Sequence, residues 1–490
     1  MPLPRRSAPS EDPDPCAFVP PYLLRHVAAV DDAGPSACAR RSLATDARLR
    51  AQRGDPALRH RSVLTEAEAG AAGSTRVVHS ADNTEQLPGR AVRTDGDSPS
   101  GDVAVDEAWD YGGQVLDLFA QQFGRDAIDG HGGTLSITVH YGQDYDNAFW
   151  NGSQLVFGDG DGDGVIFERF TKPPDVMAHE FTHGVTQFSA GLAYQGQSGA
   201  LNESVSDAFA AMSTQWTAGQ TAAEADWLIG AGLFLPSINA KALRSMTEPG
   251  TAYDDPRIGK DPQVGSMADY VETTEDSGGV HINSGIPNRA FALAAIALGG
   301  HSWELAGKIW YDTLTGGAIG SDTDFAGFAR ATVSSAGRLF STDVTVAQKV
   351  RGAWAEVGVL PATDNAPADV AAGAPTGDPL TPTGIDTIAV RRSGGVAGIS
   401  RVAELDLNEH PSGPEVRRLL AGTDLRRMAT TAAGADRFVY TIEFGAVRLT
   451  LPEHDLGPDL DRVVRIVLDA GTSIDPSSRP NHPGSGPATT

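Results

Sequence analysis

Apolar positions along the chain repeat with two periods, and the change from one to the other divides the first 360 residues. From Thr75 to about Pro174 the alternation is that of strands: TRVVHSA, GRAVRT, TLSITVHYG (Thr134–Gly142) and SQLVFG (Ser153–Gly158), separated by Gly, Asp and Asn turns. One helical stretch, VDEAWDYGGQVLDLFAQQFG, interrupts them. After Asp175 helical spacing takes over, in VMAHEFTHGVTQFSAG, LNESVSDAFAAMSTQW, RAFALAAIALGG, and SWELAGKIWYDTLT through AQKVRGAWAEVGV. A β-rich half followed by an α-rich half predicts an α+β fold of two lobes with a cleft between them.

The two ends read differently. Residues 1–74 are rich in Ala, Arg and acidic residues, with one apolar island, AFVPPYLLRHVAAV, from Ala17 to Val30. Pro20–Pro21 blocks helix before it, and Tyr22–Leu23–Leu24 can start a short amphipathic helix. The segment 361–383 has five prolines in 23 residues and no apolar period, which makes it a linker. Beyond it, two strands around a Gly-Gly turn, the helix EVRRLLAGTDL, a hairpin turning at Gly445 and the closing helix DLDRVVRIVLDAG predict a small α+β domain over 384–470. Residues 471–490 read as a disordered polar tail. The main domain divides into lobes at 75–180 and 181–360.

Composition narrows the chemistry. The 490 residues carry 38 Lys+Arg against 63 Asp+Glu, a net charge of −25 that repels phosphate backbones and disfavours nucleic acid as a partner. No stretch approaches the ~18 apolar residues of a membrane span. Cys16 and Cys38 are the only cysteines, so any metal must be held by His and carboxylates. The first residues, MPLPRRSAPSEDPDPC, lack the apolar run of a secretory signal, so export would need another route.

The strongest motif is His179-Glu180-Phe181-Thr182-His183. Residues four apart share a helical face, so His179 and His183 can offer two imidazoles to one metal ion with Glu180 alongside. A hydrolytic zinc site needs three protein ligands and an open position. Glu203, 20 residues after His183, is the candidate third ligand. Asp207, one helical turn further, can accept the second ring N–H of a ligating His.

These residues, with Asn147-Ala148-Phe149-Trp150-Asn151-Gly152, Gly158-Asp159-Gly160-Asp161-Gly162, Tyr194, Leu243-Arg244-Ser245-Met246 and Gly278 to Gly285, resemble the thermolysin family of zinc endopeptidases over roughly Arg76–Val359. The resemblance implies a two-lobed thermolysin-like fold in which His179, His183 and Glu203 bind Zn2+ and Glu180 is the general base. It assigns oxyanion stabilisation to His281 and Tyr194, with Asp276 orienting His281. Asn147, the Ala148 backbone and Arg244 would hold the substrate main chain, with bulky hydrophobic residues preferred just after the cut bond. Asp175 and Asp226 match two carboxylates of the family's calcium site, but Thr214, Leu228 and Ala231 stand where further acidic ligands would be, which leaves Ca2+ at most a reduced site. Asp159 to Gly164 begins like an EF-hand loop, yet the twelfth position is Phe170, so a tight turn is the better reading.

Phe18-Val19-Pro20-Pro21-Tyr22-Leu23-Leu24 resembles the short propeptide of the protealysin branch of that family, which typically lacks a conventional signal peptide. That implies a removable segment that occupies or braces the cleft, cut off between about Arg53 and Ser74. It also implies leaderless secretion, with a cytoplasmic location as the alternative. Cys16 reads as an idle thiol rather than a zinc cap. Arg392 to Ile399, Asp436 to Tyr440 and Leu451 to His454 resemble emfourin, a small inhibitor of protealysin-like enzymes. The expected partners are protein or peptide substrates, with the chain's own propeptide and C-terminal domain as intramolecular inhibitors. The alternative function is a non-catalytic binding protein on the same scaffold, which the joint presence of Glu180, His281 and Tyr194 disfavours.

Overall fold

The computed structural model describes residues 16–30, 33–53, 76–161, 164–361, 387–394, 401–408, 410–422, 438–444, 447–452, 456, 458–470 and 472–474. The chain forms two compact units, Met1–Ala366 and Pro367–Thr490. Among the described residues no helix is long and apolar enough to cross a membrane.

The strand-patterned stretches of the first unit build one sheet from β1 (Cys16–Ala17), β2 (Arg76–Ser80), β3 (Arg90–Thr94), β4 (Leu135–Val139), β5 (Ala148–Trp150) and β6 (Leu155–Phe157), in the order β1-β5-β6-β4-β2-β3. Pairs β2–β4 and β4–β6 are parallel and the rest antiparallel. Strand β5 therefore has β6 on one side, and the two residues of β1, from the N-terminal segment, on the other. The helix Val103–Phe123 lies against β2 and β4. Asp102 caps its N-terminus, accepting from the N–H groups of Ala104 and Val105, and Gly124 closes it with φ 64°.

His140 ties that cap to the next turn. Its Nδ1 lies 2.8 Å from Asp159 Oδ2 and its Nε2 3.1 Å from Asp102 Oδ2. The hydrogen bond to Asp159 outweighs the opposing effect of burial and, with the charge of Asp102, raises the imidazole pKa to about 9. A folded pKa above the unfolded ~6.5 means stabilisation that is complete below pH 6.5 and lost as pH rises through 9. In His140→Gln, the drop in urea-unfolding free energy relative to wild type is therefore expected to be largest at pH 6 and to vanish by pH 10.

The helical half begins with Pro174–Gln187, buried from Asp175 to Thr186, which packs against Gly196–Ala218. A Cβ on Gly184 would lie 2.3 Å from Ile128 Cδ1, so glycine permits the helix to approach its neighbours this closely. Two short antiparallel pairs follow, β7 (Leu228–Ile229) with β8 (Arg244–Ser245) and β9 (Asp254–Asp255) with β10 (Gly259–Lys260). The remaining helices, Asp276–Asn283, Gly285–Leu298, Ala306–Thr315, Phe325–Leu339 and Val344–Glu356, close around Phe291, Trp310, Phe328 and Trp354.

The second unit is an antiparallel sheet ordered β14-β13-β11-β12-β15, from β11 (Thr387–Gly394), β12 (Arg401–Asp406), β13 (Phe438–Phe444), β14 (Val447–Pro452) and β15 (Thr472–Ile474). Helix Pro458–Ala470 presents Leu460, Val463, Val464 and Val467 to Ile388, Val390, Ala403 and Leu405, and helix Gly413–Gly422 packs on it.

Three expectations change. Helix α1 (Pro21–Ala29) forms where the apolar island suggested, but α2 (Ala33–Arg53) was not anticipated, because small and polar residues fill its buried face. The lobe boundary at 180/181 falls inside one continuous helix, since the His179–His183 turn carries on to Gln187. The 471–490 stretch read as a tail begins with β15, whose backbone pairs with Val402–Glu404. Asp175 and Asp226 hold backbone N–H groups, of Gly230 (2.6 Å) and Leu228 (3.1 Å), and among the described residues no third ligand joins them as a metal cluster. The Asp161 carboxylate accepts from Val165 and Ile166, as a tight turn requires. The 54–74 cut region, the 362–383 stretch of the linker, the 395–400 and 445–446 turns, the residues 475–490 and the Cys16 side chain lie outside the described residues.

Candidate active site

Helix Pro174–Gln187 brings His179 and His183 onto one face, and helix Gly196–Ala218 brings Glu203 opposite them. One ligand atom from each of the three lies within 4.8 Å of the others, and all three residues are buried. Hydrogen bonds fix both rings. His179 Nδ1 lies 2.9 Å from Asp207 Oδ1, which can only accept. His183 Nδ1 lies 2.8 Å from Asn202 Oδ1, whose identity as oxygen follows because the Asn202 amide nitrogen donates to Leu192 O. Each Nδ1 is thus an N–H, and the two Nε2 atoms face one another at 3.0 Å.

Two lone pairs at this distance repel unless a proton on one ring or a metal ion lies between them. Glu203 supplies its negative charge at 3.5 Å from His179 Nε2 and 3.6 Å from His183 Nε2, and its Oε2 has no hydrogen-bond partner. The donor set therefore fits a metal ion. Burial disfavours charge on both imidazoles. At His179 the Asp207 and Glu203 carboxylates reverse this and raise the pKa to about 9, whereas at His183 the neighbouring His179 adds to it and lowers the pKa to about 3. Against its own burial penalty, Glu203 is held well below the usual carboxylate range by the surrounding histidines. Glu180 is buried beside the group, and burial, with the charge of Glu203, pushes its pKa up to about 8 against the opposing effects of His179 and the Trp150 backbone N–H.

His281 approaches the same carboxylate, with its Nε2 3.5 Å from Glu203 Oε1. Its Nδ1 lies 2.6 Å from Asp276 Oδ1, and its backbone N–H donates to Asp276 Oδ2. Asp276, Ser277, Gly278 and Gly279 all have φ between 49° and 84°, a left-handed run that folds Asp276 back beneath the ring. A Cβ at Gly278 would lie 2.9 Å from Gly196 N. Burial opposes charge on His281, but Glu203 and Asp276 prevail and raise its pKa to about 8. Tyr194 OH lies 3.2 Å from His281 Nε2 and donates to Glu203 Oε1.

Arg244, on β8, makes two hydrogen bonds of 2.8 Å to Asp207, and both side chains are buried. Its Nη1 donates to Phe18 O at 3.1 Å. Phe18 N–H donates to Ala148 O, Val19 N–H donates to Asn147 Oδ1 and the Asn147 amide donates to Val19 O. The substrate-side residues expected from sequence, Asn147, Ala148 and Arg244, thus all engage the main chain of 18–19. Sequence reasoning gave no role to Asn202, which orients His183, or to Asn288, whose amide donates to Asp207 Oδ2 at 2.8 Å. Asn202 adjoins Glu203 and could have been considered from that, but nothing local marks Asn288.

Residues 64–187 match the catalytic domain of thermolysin metallopeptidases and residues 190–359 their alpha-helical domain, while 390–468 match emfourin. An extracellular metalloprotease of Pectobacterium carotovorum subsp. carotovorum is 51% identical over 70% of this chain and 96% of its own length. Thermolysin of Alicyclobacillus acidocaldarius subsp. acidocaldarius is 37% identical over 59% of this chain and 51% of its own. The solved precursor of protealysin, a metalloproteinase from Serratia proteamaculans, superposes with a TM-score of 0.63 at 50% identity, covering 70% of this chain and 99% of that one. The two thermolysin-type matches span more than half of the sequence, and the chain belongs to the thermolysin family of metalloendopeptidases, with an emfourin domain at its C-terminal end.

Proposed function

We propose that the chain is the precursor of a neutral zinc endopeptidase, latent because its N-terminal segment fills the cleft. The observation that carries this is the pair of Nδ1-anchored imidazoles whose Nε2 atoms converge with Glu203 beside the buried Glu180. His179, His183 and Glu203 would hold the ion, and bound zinc would supply a Lewis acid that polarises the scissile carbonyl and acidifies water. Glu180 accepts the proton of the attacking water and delivers it to the leaving amine. His281, oriented by Asp276, and Tyr194 donate to the oxygen on which charge develops. Asn147, the Ala148 carbonyl and Arg244 align the substrate main chain, and the buried seat of Phe18 supports a preference for bulky apolar residues after the cut. Dialysis against a chelator should abolish hydrolysis of a peptide carrying Phe or Leu at that position, and stoichiometric zinc should restore it. Activity unaffected by complete metal removal would overturn the reading.

The emfourin-type domain supports a second brake. A flexible 23-residue linker spans about 25–30 Å r.m.s. and keeps a tethered ligand near millimolar concentration, so even micromolar affinity would hold the cleft occupied. After propeptide removal, the full chain is expected to be at least tenfold less active than a chain ending at Pro361. Equal activities discard the tethered inhibitor, and silencing that grows with protein concentration means that it acts between molecules. The extracellular relative supports a working site outside the cell.

A further inference from the structure

The N-terminal segment does more than obstruct the cleft, because its backbone is laid in register with the groups that would act on a substrate. Strand β1 runs antiparallel to β5, with Cys16 opposite Trp150 and Ala17 opposite Phe149. The pairing continues through Phe18 N–H to Ala148 O at 3.0 Å and Val19 N–H to Asn147 Oδ1 at 2.8 Å. Each carbonyl then has a distinct partner. Ala17 O lies 3.0 Å from His281 Nε2, the donor assigned to the developing oxyanion, whereas Phe18 O is taken by Arg244. The Phe18 ring is fully buried, edge-on to the His179 ring at 5.0 Å between centroids, with the Arg244 guanidinium 4.7 Å from its own centroid. A slip of one residue would bring a different carbonyl to His281 and take the aromatic ring out of its seat. A plug needs only to fill space. This segment also offers one particular carbonyl to the catalytic donors and places a bulky apolar residue immediately after it.

We propose that the peptide bond between Ala17 and Phe18 is itself a cleavage site for this chain's active site, and that the fragment beginning at Phe18 stays bound as a product. The inference rests on the peptidase reading above. One water is consumed: its oxygen bonds to the Ala17 carbonyl carbon, the bond to the Phe18 nitrogen breaks, and Glu180 carries a water proton to that nitrogen. Ala17 becomes the carboxyl end of one fragment and Phe18 the amino end of the other. Retention follows from what lies after the bond. Leu23, Leu24 and Val27 of α1 are buried, Ser36 and Ser42 of α2 are buried too, Ser42 accepts from Asp146 N–H, and Asp46 accepts from Tyr145 OH. Before the bond, the described chain offers only the two residues of β1. Nicking at Ala17 therefore leaves the cleft filled, and release still requires removal of the fragment that follows.

The test is a time course of the zinc-loaded full chain followed by intact mass and N-terminal sequencing, beside a peptide-hydrolysis assay of the same chain after limited trypsin treatment at Arg53, Arg59 or Arg61. A new N-terminus Phe-Val-Pro-Pro, without a parallel rise in peptide hydrolysis, is the expected result. Phe18→Asp should slow that nick at least tenfold while leaving the trypsin-treated protein as active as wild type on external peptide. A fluorescent peptide of residues 14–24 should bind trypsin-treated Glu180→Gln protein at least tenfold more tightly than the same peptide carrying Phe18→Asp. If external peptide is hydrolysed but the Ala17–Phe18 bond stays intact, or the chain cuts itself only between residues 53 and 74, the inference is overturned and the peptidase reading stands. If neither external peptide nor the chain is cut, both fall.

Discussion

Glu180→Gln is expected to reduce kcat/KM on a peptide substrate by a factor on the order of 10²–10⁴, with metal content and fold unchanged. The side chain is fully buried, and burial, aided by the charge of Glu203 and opposed by His179, pushes its pKa up to about 8, so the site holds a carboxyl group in an environment that resists its charge. A structural carboxylate at such a position would be surrounded by donors, and at Glu180 the one donor with a resolved effect is the backbone N–H of Trp150, which does not offset burial. This environment supports the proposed role of Glu180 in proton transfer. Glutamine keeps the shape and removes the basicity, and it also removes the penalty of ionising a buried acid, so the variant should melt no lower than wild type. The informative comparison is activity beside zinc stoichiometry and melting temperature on one preparation. Wild-type hydrolysis by the variant would assign the base elsewhere, and lost metal or a lowered melting temperature would mean that Glu180 has a structural role.

Much of this site was legible because its elements are local. The i, i+4 spacing of His179 and His183 and of Glu203 and Asp207 specifies helical faces, and the helices follow those faces closely. What was not legible depends on long-range or non-periodic features. Helix α2 buries Ser36, Cys38, Ala39, Ser42, Thr45 and Asp46 and packs its larger apolar residues, Leu43 and Leu49, only in part, so no hydrophobic period announces it. Polar contacts, such as Asp46 with Tyr145 and Arg41 with Asp144, add to that packing. The left-handed run at 276–279 shows in sequence only as two glycines, since Asp276 and Ser277 adopt positive φ against their own preference. Strand β15 is three residues long, too short for an alternation to be read. Asn288 reaches Asp207 across 81 positions of sequence.

Asp207 is where the stability of the fold and the geometry of the proposed metal site would depend on one carboxylate. It accepts from His179 Nδ1, from two nitrogens of Arg244 and from Asn288, all within 2.9 Å, with no exposure to solvent. Asp207→Asn would remove the charge that compensates the buried Arg244 guanidinium, an imbalance that typically costs about 3–5 kcal/mol. The same change weakens the hold on the His179 ring, and loss of such an anchoring partner usually lowers metal affinity ~10–100-fold. Two measurements separate these effects. In a cycle of Asp207→Asn, Arg244→Met and the double variant, the double variant should be less destabilised than the sum of the singles, because each single change strands the other partner's charge. Metal affinity should follow a different rule: weakened in both proteins that lack Asp207 and nearly unchanged in Arg244→Met, since only the carboxylate touches His179. Strictly additive stabilities would mean that the pair is not coupled in the folded protein. Metal affinity lost equally in Arg244→Met would show that the arginine, rather than the bond to Asp207, sets the orientation of His179.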